Sequence, residues 1–228
     1  MSRIGTALIA AFISIILLGC TPSQKAAQSE PLNQQTAECP TMKVGDKWTV
    51  IYRLNSREKG NYSRKGYTEV VAVNPDGSWE EIGFWVDDQK KVKRYYNNKY
   101  ELEKSQNIGT DEEPKAASEQ QQALNFPLSI GKKWSQSMTD TSVSKFKFEY
   151  KFEYEVKSLE KVKTKAGTFL SYKIEQYYEN TEVKQAGGRW TRLYWYSPEA
   201  KRIVKSEPDY QETENIPSIE LIEYSPAK

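Results

Sequence analysis

"FKFEYKFEYEV" occupies residues Phe146 to Val156. Phe146, Phe148, Tyr150, Phe152, Tyr154 and Val156 take every second place, and Lys147, Glu149, Lys151, Glu153 and Glu155 stand between them. A period of two puts all six apolar or aromatic groups on one face and the charges on the other. That pattern describes an antiparallel strand with one dry side and one wet side. Its aromatic face can pack into a core or line a cleft, and core is the expected use.

Working outward, the same logic predicts strands over Lys47–Leu54, Tyr67–Val73, Ser78–Val86, Val92–Tyr96, Lys99–Glu103, Thr168–Tyr178, Trp190–Tyr196, Ile203–Glu207 and Ile219–Tyr224. Turn chemistry separates them. Asn74-Pro-Asp-Gly77 places proline and glycine where a tight turn uses them. Asn97-Asn98 reads as a two-residue hairpin loop. "SPEAK", Ser197 to Lys201, makes a longer loop, and Gly187-Gly188 marks another break. Residues 104–127 form a polar insert, within which Pro114 to Leu124 could make one short helix.

Two phrases recur. Gly45-Asp46-Lys47-Trp48 is echoed 86 residues later by Gly131-Lys132-Lys133-Trp134. Each opens the same order of parts: a long strand, a turn glycine (Gly77, Gly167) followed by a small hydroxyl residue and an aromatic, then an aromatic hairpin. The glycine permits the turn and the tryptophan anchors the strand entry. The expected architecture is therefore all-β. It is an antiparallel, curved sheet or incompletely closed barrel built from a duplicated β-meander, with at most one or two short helices.

"KTKAGTF" (Lys163–Phe169) and "YWYSPEAKRIVK" (Tyr194–Lys205), with the apolar-Gly-x-x-Trp opening before them, resemble a group of uncharacterised bacterial envelope proteins. Some of these are pilus-associated, TapB-like, or lipoproteins of unknown role. The resemblance implies a fold similar to the half-barrel of lipoprotein carriers and carries over no catalytic residue. This chain departs from the pattern in its polar insert.

The N-terminus sets an expected compartment. Arg3 precedes an apolar run from Ile4 to Leu18, shorter than the roughly 20 residues of a comfortable membrane span and laid out like a secretory leader. It ends in Leu17-Leu18-Gly19-Cys20, which looks like a bacterial lipobox with Cys20 as the acylated residue. Several acyl chains would anchor stably where one would not. Residues 20–41 read as a tether reaching about 25 Å on average, and 42–228 as one β domain with halves at about 42–103 and 128–224. Thr21 stands where an acidic residue would favour the inner membrane, so an outer membrane facing the periplasm is expected in a diderm bacterium.

Composition narrows the chemistry. The 228 residues hold 33 Lys and Arg against 31 Asp and Glu, which gives no electrostatic reason to expect nucleic acid. There is no histidine, and with Cys20 acylated Cys39 stands alone without a disulfide partner. The usual general base and metal ligand are thus missing, and no catalytic, metal or cofactor site is expected. The acidic pairs Glu80-Glu81 and Asp87-Asp88 are expected on solvated surface, because neighbours on a strand point to opposite faces.

The 15 tyrosines and six tryptophans are the suggestive feature, since their apolar bodies and polar tips suit clefts and interfaces. Trp85, Arg189, Trp190, Arg192, Tyr194, Trp195 and Tyr196 are the candidate binding-surface residues. The expected role is a non-enzymatic, membrane-anchored module for an envelope protein or an apolar ligand. A carboxylate-dependent hydrolase of envelope glycans and a structural spacer are the alternatives.

Overall fold

A computed structural model describes residues 35–56, 60–88, 90–117, 123–140, 148–180, 189–209 and 217–227. The leader, Cys20, most of the tether, Phe146 and Gly187-Gly188 lie outside the described residues. The described chain is strand and turn throughout. It begins with β1 (Thr36–Ala37), and a first meander follows: β2 (Lys47–Ser56), β3 (Gly60–Val73), β4 (Trp79–Trp85), β5 (Lys91–Tyr96), β6 (Leu102–Asn107) and β7 (Lys115–Ala116). After β8 (Leu128–Ser129) comes a second: β9 (Lys133–Asp140), β10 (Phe148–Thr164), β11 (Gly167–Asn180), β12 (Arg189–Ser197), β13 (Arg202–Pro208) and β14 (Ser218–Ser225).

The twelve meander strands form one antiparallel sheet in the order β7-β6-β5-β4-β3-β2-β14-β13-β12-β11-β10-β9. The first meander runs outward from the centre and the second runs inward from the far edge, so the two join where β14 pairs with β2. β7 and β9 end the sheet, which is not closed into a barrel. β1 pairs with β8, and Ala37 is buried there, so part of the stretch that reads as tether is strand.

The duplication extends to single hydrogen bonds. Gly45 and Gly131 both have positive φ, 95° and 86°. The Gly45 N–H donates to Val70 O and the Val70 N–H to Asp46 O; the Gly131 N–H donates to Val156 O and the Val156 N–H to Lys132 O. Both long strands then carry a β-bulge at the matching place, after Val70 and after Val156. A shift of 86 residues maps each of these positions onto its counterpart. Glycine is required because the left-handed backbone there penalises a Cβ.

Two local expectations change. The Asn97 hairpin has a five-residue loop, and β6 starts at Leu102, not Lys99. Tyr100 adopts φ 69° in that loop. Its ring is drawn into the core against Trp79, Tyr96 and Phe126. The polar insert is also partly sheet. β6 continues to Asn107, and Lys115–Ala116 pair onto it where a helix was expected. Leu124 is 6% exposed in irregular chain, held by the core and not by a helix.

The buried side chains form two clusters. One gathers Trp48, Val70 and Trp79 of the first half with Phe169, Trp195 and Val204 of the second. The other lies in the second half around Phe152, Tyr154, Ile174, Tyr194 and Tyr196. The loop Ser197–Lys201 latches the halves together. Trp48 Nε1 donates to Ala200 O at 2.7 Å, Lys201 Nζ to Asp46 Oδ2 at 2.7 Å, and the Tyr100 hydroxyl to Lys201 O at 3.1 Å.

Candidate functional site

The concave side of the sheet differs between its halves. In the second half it is filled by side chains: Tyr194 OH donates to Gln176 Oε1 (3.0 Å) and Gln176 Nε2 donates to Tyr154 OH (2.8 Å), among buried aromatics. Against the first half a cavity of about 320 Å³ remains, with Tyr194, Arg202, Ile203, Ser206 and Ile219 of the second half also in its wall. Two glycines on neighbouring strands lie in its wall. Gly66 of β3 faces Trp85 across the ladder, and Gly83 of β4 faces Thr68. A Cβ on Gly66 would sit 3.0 Å from the Trp85 ring, and one on Gly83 would sit 2.5 Å from Arg94 Nη1. Bare backbone at these positions leaves room for the indole and the guanidinium to lie against the sheet. Val50, Val92, Leu124 and Ile219 supply apolar wall.

A charged cluster stands at one end of this cavity. Glu81 is 2% exposed. Its Oε2 receives Arg202 Nη2 at 2.8 Å, and its Oε1 receives Tyr96 OH at 3.2 Å and Arg94 Nη1 at 3.3 Å. Arg202 also stacks on the Trp48 ring at 4.5 Å. Burial works against the Arg202 charge, yet Glu81 beside it raises its pKa further. Burial also pushes the Tyr100 hydroxyl up to about 12, and Tyr96 rises as well, so both tyrosines are protonated donors. A buried carboxylate met by two guanidiniums and a phenol is fully satisfied, which is the condition for keeping such an ion in a core.

The rim is ordered too. Arg64 lies over the Trp85 ring at 4.7 Å, Tyr52 meets that ring edge-on at 5.7 Å, and Arg64 binds both Asp87 and Asp88. Those carboxylates are exposed, as expected, but they share one partner because they sit in the turn after β4 and not on a strand. Glu81 is the correction: it is buried, whereas Glu80 points to the other face and pairs with Lys93 at 2.6 Å.

Of the residues singled out in sequence, Trp85 and Tyr194 line the cavity. Arg192 lies two residues along β12 from Tyr194, stacks on its ring at 5.0 Å, and donates from Nη2 to Ser206 Oγ and Pro217 O. Trp195 belongs to the first core cluster and donates from Nε1 to Glu160 at 2.7 Å; Tyr196 is fully buried in the second. Arg189 and Trp190 lie on β12, and their side chains are outside the described residues. Sequence reasoning missed Gly66, Gly83, Glu81, Arg94 and Arg202. Gly66 and Gly83, each inside a strand pattern, were the available signal.

No protein-family model matches the chain, and no curated protein sequence matches it. Its backbone is similar to several crystal structures. One, from Bacteroides fragilis, is described as an exported protein with a YmcC-like fold; at 12% identity it covers 83% of this chain and 99% of its own, with a TM-score of 0.47. Another, described as a lipoprotein from Parabacteroides distasonis, shows 16% identity, 84% and 100% coverage, and a TM-score of 0.46. The hypothetical lipoprotein YmcC of Escherichia coli shows 9% identity, 82% and 88% coverage, and a TM-score of 0.40.

Proposed function

We propose that this chain is an exported envelope lipoprotein, anchored through Cys20, that binds an apolar ligand in the concave face of its first half without catalysing a reaction. The observation that carries the reading is the cavity at Gly66 and Gly83. About 320 Å³ stays open here beside the Glu81–Arg202 pair, at the lower end of the range of roughly 300–1,000 Å³ usual for ligand sites. The leader and the Leu17-Leu18-Gly19-Cys20 motif supply the anchor, and Thr21 favours an outer membrane facing the periplasm.

The hydrolase alternative needs two carboxylates about 5–10 Å apart in a cleft. Among the described residues the cavity lining offers one, Glu81, already engaged by Arg202, Arg94 and Tyr96. The ligand reading is tested by organic extraction of protein purified from its native envelope, followed by mass spectrometry. One ligand class should copurify with the wild type and be lost from Gly66→Val, whose side chain pushes the Trp85 ring into the cavity while circular dichroism stays unchanged. Equal recovery from both, or none from either, refutes it.

A further inference from the structure

The cavity's polar end carries an imbalance of charge. Arg94 and Arg202 stand there with the single carboxylate Glu81 among the described residues, while Lys90 lines the cavity at its other end, beyond the Phe84–Lys91 pair. Arg202 takes the better of that carboxylate's contacts, 2.8 Å, with its side chain mostly buried. Arg94 takes a long one, 3.3 Å, and its side chain is 33% exposed. Glu81 can neutralise one guanidinium, so the other holds its charge at the cavity wall.

Resting on the ligand reading above, we propose that the ligand is a single-chain amphiphile with a carboxylate head. Its head is received by Arg94, and its chain lies along Val50, Trp85, Val92 and Leu124. Arg94 suits this role because a guanidinium presents five donors in a fixed fork, of which Glu81 engages one. The bare backbone at Gly83 holds Nη1 in place, and Arg202 keeps Glu81 occupied so that the carboxylate does not compete for the whole fork. The apolar wall without the cations would take any hydrocarbon, and the cations without the wall would take any small anion. Their adjacency selects the molecule that has both parts.

The test is competition against a fluorescent polyene fatty acid, using the full mature chain with Cys20→Ser so that no acyl chain of its own interferes. The competitors are palmitate, hexadecanol and hexanoate. Palmitate should bind about tenfold or more tighter than hexadecanol, the margin of one charge-assisted contact, and hexanoate should bind far more weakly. Arg94→Gln should bring palmitate down to the level of hexadecanol and leave hexadecanol within about threefold, while Arg94→Lys keeps part of the preference. Hexadecanol matching palmitate in the wild type overturns the carboxylate head and leaves the apolar cavity standing. Hexanoate matching palmitate overturns the chain. Binding of none of the three overturns both this inference and the reading it rests on.

Discussion

Arg202 Nη2 lies 2.8 Å from Glu81 Oε2, so a salt bridge spans 121 residues and the seam between the two meanders. Glu81 is buried on β4, and Arg202, against the Trp48 ring, is largely withdrawn from water. Removing one member of such a pair strands the other without water. Glu81→Gln should therefore cost about 3–5 kcal/mol in urea denaturation, with the m-value unchanged. A loss below about 1 kcal/mol would mean that the pair is solvated in solution.

Trp48 and Trp134 open equivalent strands but differ in their surroundings. Opposite Trp134 stands Tyr154, which stacks on it at 5.0 Å, whereas opposite Trp48 stands the small Thr68. The Trp48 ring is instead covered by the stacked Tyr224 ring at 6.1 Å and by Arg202, and its Nε1–H donates to Ala200 O in the latch loop, while Trp134 Nε1 has no partner among the described residues. Trp48→Ala should cost about 3–5 kcal/mol, and Trp134→Ala at the sheet edge at least about 1 kcal/mol less. Thermal denaturation of the two variants checks the order.

Asp46 predicts acid sensitivity. It is 0% exposed, and burial pushes its pKa up. Hydrogen bonds from Lys201 Nζ, the Ala227 N–H and the Lys43 N–H outweigh burial and hold it below its ordinary value of 3.8. A carboxyl depressed in the folded state stabilises fully above its unfolded pKa, and that stability is lost as pH falls through the folded pKa. Asp46→Asn should be about 1.5–3 kcal/mol less stable near pH 7 and should show a flatter decline below about pH 4. Parallel pH curves for the two proteins would contradict this.

The lipid attachment proposed for Cys20 has its own signature. Metabolic labelling with a palmitate analogue should mark the wild type and not Cys20→Ser, and the variant should leave the membrane fraction. Label retained by the variant would place the anchor elsewhere.

The strands and their repetition were legible because they rest on local periods. The alternation from Phe148 to Val156 and the paired Gly-x-Lys-Trp phrases need no knowledge of distant partners. The hairpin at Asn97 was misjudged because its length is set by where Tyr100 packs, against Phe126 of the insert and Lys201 of the other half. Glu81 was misplaced for the same reason. Its burial depends on Arg202, 121 residues away, and no short window of sequence contains both. Trp85 and Tyr194 were found through their aromatic bodies, which mark a cavity wall and a core wall alike. The cavity wall depends on absent side chains at Gly66 and Gly83, which let Trp85 and Arg94 lie on the sheet, and strand patterns built on the side chains that are present pass over them.

Trp85 faces the cavity, whereas Trp48, Trp79 and Trp195 are buried in the core. Titration with a fatty acid brominated near mid-chain, read as tryptophan fluorescence, therefore tests ligand entry directly. The account predicts saturable quenching that is largely abolished in Trp85→Phe and retained in Trp134→Phe. Absence of quenching in the wild type, or quenching that survives unchanged in Trp85→Phe, would contradict it.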